Sequence, residues 1–262
     1  GTGKTASAIW ASDYLMNQGK IRRVLVICPL SIMDSAWRDD LFTFATHRTV
    51  SVAYGPAEKR KKIIQEGSDY VIINYDGVAI VADEIKKGGF DLVIVDEATH
   101  YKNAQTTRWK TLNRLLTDDT WLWMMTGTPA AQSPVDAYGL AKMVNKNLVP
   151  RFFTSFKEQV MVRVSQFKWS IKPKATDIVF KALQPAIRFT KEECLDLPPM
   201  VYVKREVELT KQQKKYYKQI KDKMVMEVTD AEVTAVNAAV SLSKLLQISS
   251  GAVYTDAGDV LE

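Results

Sequence analysis

The chain has 262 residues, of which 46% are hydrophobic and 25% are charged, and its formal net charge is +6. This composition is typical of a globular protein with a sizeable core and excludes a largely disordered chain. The apolar runs, such as residues 24–27, are too short to cross a bilayer, and two cysteines exclude a disulfide framework. We therefore expect an intracellular protein with no membrane contact, whose positive charge permits a polyanionic partner.

Short apolar runs alternate with segments of helical period along the first half of the chain. The predicted strands are residues 24–28, 70–74, 92–95 and 121–125, and the predicted helices are residues 6–18 and 107–116. Such alternation favours an α/β fold with a mostly parallel sheet flanked by helices.

The pattern changes after about Asn145. Residues 151–190 are rich in Phe, Lys and Trp without strand alternation, and they predict a mainly helical or irregular insertion. Leu197-Pro198-Pro199 then interrupts the chain, alternation returns over residues 201–209, and a Lys-rich helix is predicted from Lys211 to about Met226. A charged run at residues 58–62 is interpreted as a solvated helix face.

The chain opens on "GTGKT", residues 1–5, which matches the working half of a phosphate-binding loop. Gly1 and Gly3 would let the backbone approach phosphates, Lys4 would supply a positive charge, and the Thr5 hydroxyl would ligate Mg²⁺. The alternative is an ordinary helix start. Because the feeding strand and the first position of the full signature are missing, we expect the sequence to be part of a longer chain.

The second motif follows an apolar run and consists of Asp96 and Glu97. A strand that ends in two acids is typical of the Walker B arrangement, in which Asp96 holds Mg²⁺ and Glu97 orients and deprotonates water. The alternative is a strand end with two solvated acids. A third motif, "TGTP" at residues 126–129, is either a simple Gly/Pro turn or a loop that senses the γ-phosphate.

Together these motifs identify a resemblance to helicase superfamily two, and within it to the first RecA-like lobe of Swi/Snf-type DNA translocases. The resemblance runs nearly end to end and is closer to compact bacterial or viral members than to large eukaryotic chromatin remodellers. The further segments that carry it are "VLVICPLSIMDSAW" (24–37), "YVIINYDGV" (70–78), "KN" (102–103), "RFTKEECLDLPP" (188–199) and "LLQISSG" (245–251).

The resemblance implies a RecA-like P-loop NTPase lobe with a mainly helical insertion. The implied domains are residues 1–145 as the ATP-binding lobe without its first strand, 146–196 as the insertion, and 197–262 as remaining lobe elements leading toward a second lobe. The implied ATP-binding residues are Gly1, Thr2, Gly3, Lys4 and Thr5. The implied catalytic residues are Lys4, Asp96 and Glu97, with Mg²⁺ on Thr5 and Asp96.

The resemblance also implies a nucleic-acid track, most simply double-stranded DNA held through its phosphates. The implied coupling residues are Thr126, Gly127 and Thr128, and the implied DNA contacts are Pro29, Leu30, Ser31, Asn74, Tyr75, Lys102 and Asn103. The sequence departs from the family pattern in four places. Thr99 stands where His is usual, His100 where Arg is frequent and Asn74 where Thr is usual, and "TGTPAAQSP" lacks the more common Gln-Asn pair after the Pro. The connection from the Walker B strand to the coupling loop is therefore expected to differ in detail.

The predicted function is an ATP-dependent motor that moves on double-stranded DNA, represented here by its ATP-binding lobe. Two alternatives remain open at this point: a strand-separating DNA or RNA helicase, and a non-catalytic DNA-binding module. Because a second lobe normally supplies an arginine finger, this lobe alone is expected to hydrolyse ATP weakly.

Overall fold

A computed structural model describes residues 3–166, 168–194, 201–229, 235–251, 253–254 and 260–261. Backbone contacts divide the chain into two units, residues 1–197 and residues 198–262. The predicted break at Leu197-Pro198-Pro199 lies outside the described residues. Within the described residues, none of the helices combines the length and the apolar character needed to cross a membrane.

The helices and strands are numbered in chain order. The helices are α1 Lys4–Asn17, α2 Asp39–Phe44, α3 Ala57–Gln65, α4 Tyr75–Ile80, α5 Ala82–Lys87, α6 Thr107–Leu115, α7 Ala137–Val144, α8 Phe153–Val160, α9 Ala175–Ala182, α10 Lys191–Cys194, α11 Lys211–Thr229 and α12 Ala235–Ser249. The strands are β1 Val24–Cys28, β2 Val50–Val52, β3 Tyr70–Asn74, β4 Leu92–Val95, β5 Trp121–Met124, β6 Met161–Arg163, β7 Trp169–Ile171, β8 Val253–Tyr254 and β9 Val260–Leu261.

The core of the first unit is a five-stranded parallel sheet in the order β2-β3-β1-β4-β5. The central strand β1 is buried along its whole length, because helices cover both faces. Leu25 and Ile27 point into one apolar cluster, whereas Val24, Val26 and Cys28 point into the other. The predicted fold class, a parallel sheet flanked by helices, is confirmed.

The carboxyl half of α1 lies at the amino edge of the sheet, because Arg48, two residues before β2, donates hydrogen bonds to Asp13 and Asn17. The hydroxyl of Ser12, in the middle of α1, lies 2.8 Å from the hydroxyl of Tyr70, the first residue of β3. Lys4 begins the helix eight residues before Ser12, about 12 Å along its axis. The amino terminus of α1 is therefore level with the carboxyl edge of the sheet, where parallel α/β folds place their ligands.

Most predicted elements match the structure, and the differences have physical reasons. Strand β5 ends one residue earlier than predicted, and α1 begins two residues earlier, at Lys4. Strand β2 was not predicted, because three half-buried residues carry little periodicity. The alternation at residues 201–209 does not form a strand: this segment has no regular structure and is almost wholly exposed. The predicted insertion contains helices α8 and α9, but also the antiparallel hairpin β6–β7, which was missed.

Helix α7 packs closely against the segment that follows β4. A Cβ atom added to Gly139 would overlap the backbone carbonyl of Lys102 and would lie 2.7 Å from the carbonyl oxygen of Tyr101. The indole Nε1–H of Trp109 donates a hydrogen bond of 2.8 Å to the carbonyl of Gly139. Gly139 thus allows a backbone contact that fixes residues 101–102 beside α7.

Gly139→Ala is expected to lower the free energy of unfolding by about 1–3 kcal/mol, because the added methyl group meets backbone that cannot rotate away. Urea denaturation measures the change. Gly127→Ala is the matched control, since a Cβ atom at that glycine meets nothing within 4 Å. Equal stability of the two variants would show that α7 can shift freely and would contradict the prediction.

Candidate functional site

The predicted site residues converge at the carboxyl edge of the parallel sheet. Strand β1 leads into Pro29, β3 ends at Asn74, β4 leads into Asp96, and β5 leads toward Thr126. Adjacent parallel strands in register bring these strand ends together. The sheet therefore places four motifs that are far apart in sequence along one edge.

The phosphate-loop residues that the structure describes lie at the start of α1. Gly3 precedes the helix with φ 75° and ψ 24°, a left-handed conformation that favours glycine. Lys4 is exposed and Thr5 is half-buried. Gly1 and Thr2 lie outside the described residues. A helix amino terminus with free backbone N–H groups and an adjacent lysine is suited to bind a phosphate group.

Asp96 is a nearly buried carboxylate, 8% exposed, just after β4. The Nε1–H of Trp37 donates a hydrogen bond of 3.0 Å to Asp96 Oδ2, and the backbone N–H of Glu97 donates one of 2.9 Å to Oδ1. Trp37 is fully buried in a π-helical turn, Met33–Arg38. Both donors orient the carboxylate and compensate for its lost water.

The side chain of Glu97 is fixed by two threonines. Thr99 Oγ1 and Thr126 Oγ1 each donate a hydrogen bond of 3.0 Å to Glu97 Oε1. The backbone of Glu97 is left-handed, with φ 48°, a conformation that costs a non-glycine residue about 1–2 kcal/mol. Thr126 Oγ1 also accepts a 3.2 Å hydrogen bond from the N–H of Thr128. One oxygen of Glu97 thus joins the predicted Walker B segment to the predicted coupling loop.

Tyr75 contacts the same segment from the interior of the protein. Its hydroxyl donates a hydrogen bond of 2.6 Å to the backbone carbonyl of Asp96. Burial, together with the nearby Asp96 carboxylate, raises the pKa of the Tyr75 phenol above its ordinary value, so the donor proton is retained. The Tyr75 ring stacks at 4.5 Å on the ring of His100. Tyr75 is a predicted DNA contact, and in the structure its hydroxyl is turned toward the interior.

Asn74 is fixed by a buried arginine. The guanidinium of Arg60 is in a residue only 5% exposed, and it donates hydrogen bonds to Asn74 Oδ1 at 2.9 Å and to the carbonyls of Ala53 and Gly55 at 2.7 Å. The interpretation of residues 58–62 as a solvated face is wrong at this position. A Cβ atom on Gly77 would overlap Arg60 Nη1, so a glycine is needed beside the guanidinium.

The other predicted DNA contacts are more accessible. Leu30 and Ser31 are exposed, with Leu30 at 53%, and Pro29 is half-buried. Lys102 Nζ lies 3.1 Å from Gln132 Oε1 and 3.3 Å from Asp136 Oδ2. Asn103 is exposed, and its Oδ1 accepts a hydrogen bond of 2.9 Å from the N–H of Gln105.

The oxygen ligands at this edge fit Mg²⁺. Asp96 offers a carboxylate and Thr5 a hydroxyl, both hard oxygen donors. Within the described part of the chain, His, Cys, Asp and Glu side chains do not gather in threes to form a metal cluster. A single carboxylate agrees with the way Mg²⁺ binds in nucleotide sites, where phosphates and water complete its coordination.

Cys28 ends β1 next to this carboxylate. Burial, with a smaller contribution from Asp96, raises the pKa of the Cys28 thiol to about 12. The thiol is therefore neutral in the folded protein and packs as a small apolar group.

Comparisons with known proteins agree with this geometry. The family profile described as SNF2-related domain matches residues 1–250. A protein named p41 of Acyrthosiphon pisum secondary endosymbiont phage 1 is 25% identical over 276 residues, which cover 98% of this chain and 59% of that protein. The chromatin-remodeling ATPase INO80 of Lodderomyces elongisporus is 26% identical over 256 residues, which cover 88% of this chain and 16% of INO80.

A solved structure, the SWI2/SNF2 ATPase core of Sulfolobus solfataricus in complex with dsDNA, is similar with a TM-score of 0.58 and 25% sequence identity. The similarity covers 94% of this chain and 51% of that chain. The predicted RecA-like fold and the resemblance to Swi/Snf-type ATPases are confirmed. The chain spans less than two-thirds of the length of each of these relatives.

Trp37→Phe is expected to lower the free energy of unfolding by about 1–3 kcal/mol, because the buried Asp96 oxygen loses its donor. Chemical denaturation measures the change. Trp123→Phe, the same replacement at a half-buried tryptophan of the same apolar cluster, is the matched control. A loss at Trp37 no larger than that at Trp123 would contradict a role for the indole N–H.

Native protein at pH 8 is expected to expose one reactive thiol, that of Cys194, and to release the second, Cys28, only on unfolding. A colorimetric disulfide reagent with and without denaturant counts both thiols. The unfolded Cys28 thiol ionises near pH 9.0 whereas the folded one keeps its proton to about pH 12. The contribution of Cys28 to stability is therefore complete below pH 9 and falls as the pH rises from 9 to 12.

Cys28→Ala isolates this effect, because every other titrating group is unchanged in the variant. The unfolding free energies of the two proteins should approach each other above pH 9. Parallel pH profiles, or equal reaction rates of the two thiols in the native protein, would contradict the prediction.

Proposed function

Because the chain belongs to the SNF2-related domain family, we propose that it is the ATP-binding lobe of an ATP-dependent motor that moves on double-stranded DNA. The observation that carries the proposal is the shared hydrogen bonding of Glu97. One carboxylate oxygen contacts both Thr99 of the Walker B segment and Thr126 of the coupling loop. The named ATPase relatives and the dsDNA complex of a similar core support the choice of ATP and duplex DNA.

ATP binding is assigned to the phosphate loop. The N–H groups at the start of α1 and the ammonium of Lys4 would hold the phosphates, and Gly1, Thr2, Gly3 and Thr5 would complete the loop. Thr5 and Asp96 would hold Mg²⁺, which neutralises phosphate charge when bound. The two donors on Asp96 keep its carboxylate in a fixed orientation.

Glu97 is assigned as the residue that orients and deprotonates the attacking water. Its Oε1 is occupied by the two threonine hydroxyls, which leaves Oε2 to receive the proton. The left-handed backbone at Glu97 turns the side chain toward Thr126 and away from the solvated position usual after a strand end. Strain of this kind is retained where surrounding contacts fix it.

Coupling to DNA is assigned to Thr126, Gly127 and Thr128. A change at the γ-phosphate would alter the bonding of Glu97, and Thr126 would pass that change to the loop. The same loop continues to Gln132, which contacts Lys102, a proposed DNA contact. The proposed contacts with the phosphate backbone are Pro29, Leu30, Ser31, Asn74, Tyr75, Lys102 and Asn103.

A second RecA-like lobe in the same parent chain would complete the motor. The domain division at residues 1–145, 146–196 and 197–262 belongs to this proposal. An arginine finger supplied from outside accelerates related NTPases by about 10³–10⁵, so this lobe alone would hydrolyse ATP slowly.

The test is ATP hydrolysis by the intact parent protein, measured with no nucleic acid, single-stranded DNA, duplex DNA and RNA. Duplex DNA is expected to stimulate hydrolysis most, and Glu97→Gln is expected to reduce the stimulated rate by at least a hundredfold. Glu66→Gln, which removes an exposed carboxylate at the end of α3, is the control for charge and should keep the full rate.

Stronger stimulation by single-stranded DNA or by RNA would contradict the proposed motor on duplex DNA. It would indicate a strand-separating helicase or an RNA-dependent ATPase. Duplex binding without hydrolysis under any condition would replace it with a DNA-binding module. Unwinding assays on a forked duplex then separate translocation from strand separation.

A further inference from the structure

One segment of the first unit has an excess of positive charge. Residues 151–190 contain eight Lys or Arg and two Asp or Glu, which gives this segment a net charge of +6. The whole chain also has a net charge of +6, so the other 222 residues are balanced. Helices α8 and α9 each contain one basic and one acidic residue. The excess therefore lies in the hairpin β6–β7, in the two lysines that follow it, and at the flanking residues Arg151 and Arg188.

Five of these cations surround the hairpin. We define the basic hairpin surface as Lys157, Arg163, Lys168, Lys172 and Lys174. The paired strands are three residues long, so about 10 Å separates the base of the hairpin from its tip.

Trp169 lies at the centre of this surface. Lys157 Nζ lies 3.9 Å from the centre of the Trp169 ring, and Arg163 is the direct cross-strand partner of Trp169. A cation over an aromatic face gains about 0.5–1 kcal/mol at an exposed site, which helps to hold Lys157 in place. The short hairpin thus presents its charges from a defined framework.

The charges of the basic hairpin surface are uncompensated. Within the described residues, none of its five cations forms an ion pair with a carboxylate, although the segment contains Glu158 and Asp177. Arg163 and Lys172 use some donors on nearby backbone carbonyls, whereas Lys168 and Lys174 are exposed. Elsewhere on the first unit, Arg48 and Arg108 are paired with Asp13 and Asp76.

The hairpin also adjoins the proposed coupling path. Ser133 Oγ contacts Met161 Sδ at 3.8 Å, and Met161 is the first residue of β6. The neighbouring Gln132 contacts Lys102, a proposed DNA contact. The hairpin therefore contacts the segment that follows the predicted coupling loop, beside the residue that contacts Lys102.

From this placement we propose that the basic hairpin surface binds the phosphate backbone of duplex DNA, as a second contact beyond the carboxyl edge of the sheet. The inference rests on the proposed function for the choice of DNA as the polyanion. Duplex DNA presents a dense row of phosphates, and unpaired lysines on a short framework complement it without reading sequence. The contact would hold the lobe on its track while the edge contacts change during hydrolysis.

The test measures binding of the full 262-residue chain to a short fluorescent duplex by anisotropy over a series of salt concentrations. The variant is the triple replacement Lys168→Gln, Lys172→Gln and Lys174→Gln. Each lost phosphate contact reduces the slope of log K against log salt by about 0.9, so a reduction of about 2.7 is expected. Affinity at low salt should fall at least tenfold.

Two matched variants control for charge and for folding. Replacing the same three lysines by Arg keeps the charge and should keep the slope. Replacing Lys86, Lys87 and Lys110 by Gln removes the same charge from other exposed positions and should change the slope by less than one. Circular dichroism should be the same for all variants, and thermal unfolding should change little. The substituted side chains are exposed except for the half-buried Lys172, which loses one hydrogen bond to the Glu158 carbonyl.

A slope unchanged in the Gln triple variant would overturn the inference and would leave the proposed function to the hydrolysis test. Failure of the unsubstituted chain to bind duplex DNA would also overturn it. If the chain binds phosphatidylserine vesicles in preference to DNA, and the Gln triple variant loses this binding, the inference is overturned. The ligand of the basic hairpin surface would then be an anionic membrane.

Discussion

The buried carboxylate of Asp96 is the constraint on which the rest of this edge depends. A carboxylate removed from water is stable only when donors replace the lost hydration. The nearest donors are the Trp37 indole and the backbone N–H of Glu97. The first requires a turn after β1 that brings a tryptophan beneath β4, and the second requires the chain to bend sharply after Asp96. Both requirements are met by unusual backbone, a π-helical turn at Met33–Arg38 and a left-handed residue at Glu97.

The bend at Glu97 has effects beyond Asp96. It directs the Glu97 carboxylate toward Thr99 and Thr126, so that the segment after β4 bonds to the loop after β5. It also leaves the Asp96 carbonyl available to Tyr75, which comes from the end of β3. The ends of β3, β4 and β5 are therefore joined by hydrogen bonds around two adjacent acids. A hydroxyl at position 99, where the family usually has a histidine, provides one of these bonds.

Periodicity and motif spacing predicted the central sheet but not the contacts that orient the site. Strands β1, β3 and β4 are buried on both faces, so nearly all their residues are apolar. Such apolar runs can be recognised in the sequence. The placement of Asp96 and Thr126 at one edge followed from the parallel order. The partnership of Trp37 with Asp96 did not, because 59 residues separate them and only packing brings the indole to the carboxylate.

Two other features were beyond sequence reasoning for the same kind of reason. Arg60 lies in a run of charges that suggests a solvated helix, and its burial depends on carbonyls from a different loop. The hairpin β6–β7 has only three residues per strand, which is too short for alternation to be recognised. In both cases a tertiary contact, and not a local preference, decides the conformation.

The environment of Arg60 has a consequence for the electrostatic field of the molecule. Its guanidinium is bonded to two carbonyls and one amide oxygen, and none of these three contacts is a carboxylate. A buried charge is screened by salt much less than an exposed one. Salt therefore weakens the electrostatic influence of Arg60 at the end of β3 much less than that of an exposed cation. The lysines around the hairpin, in contrast, provide an attraction that added salt weakens.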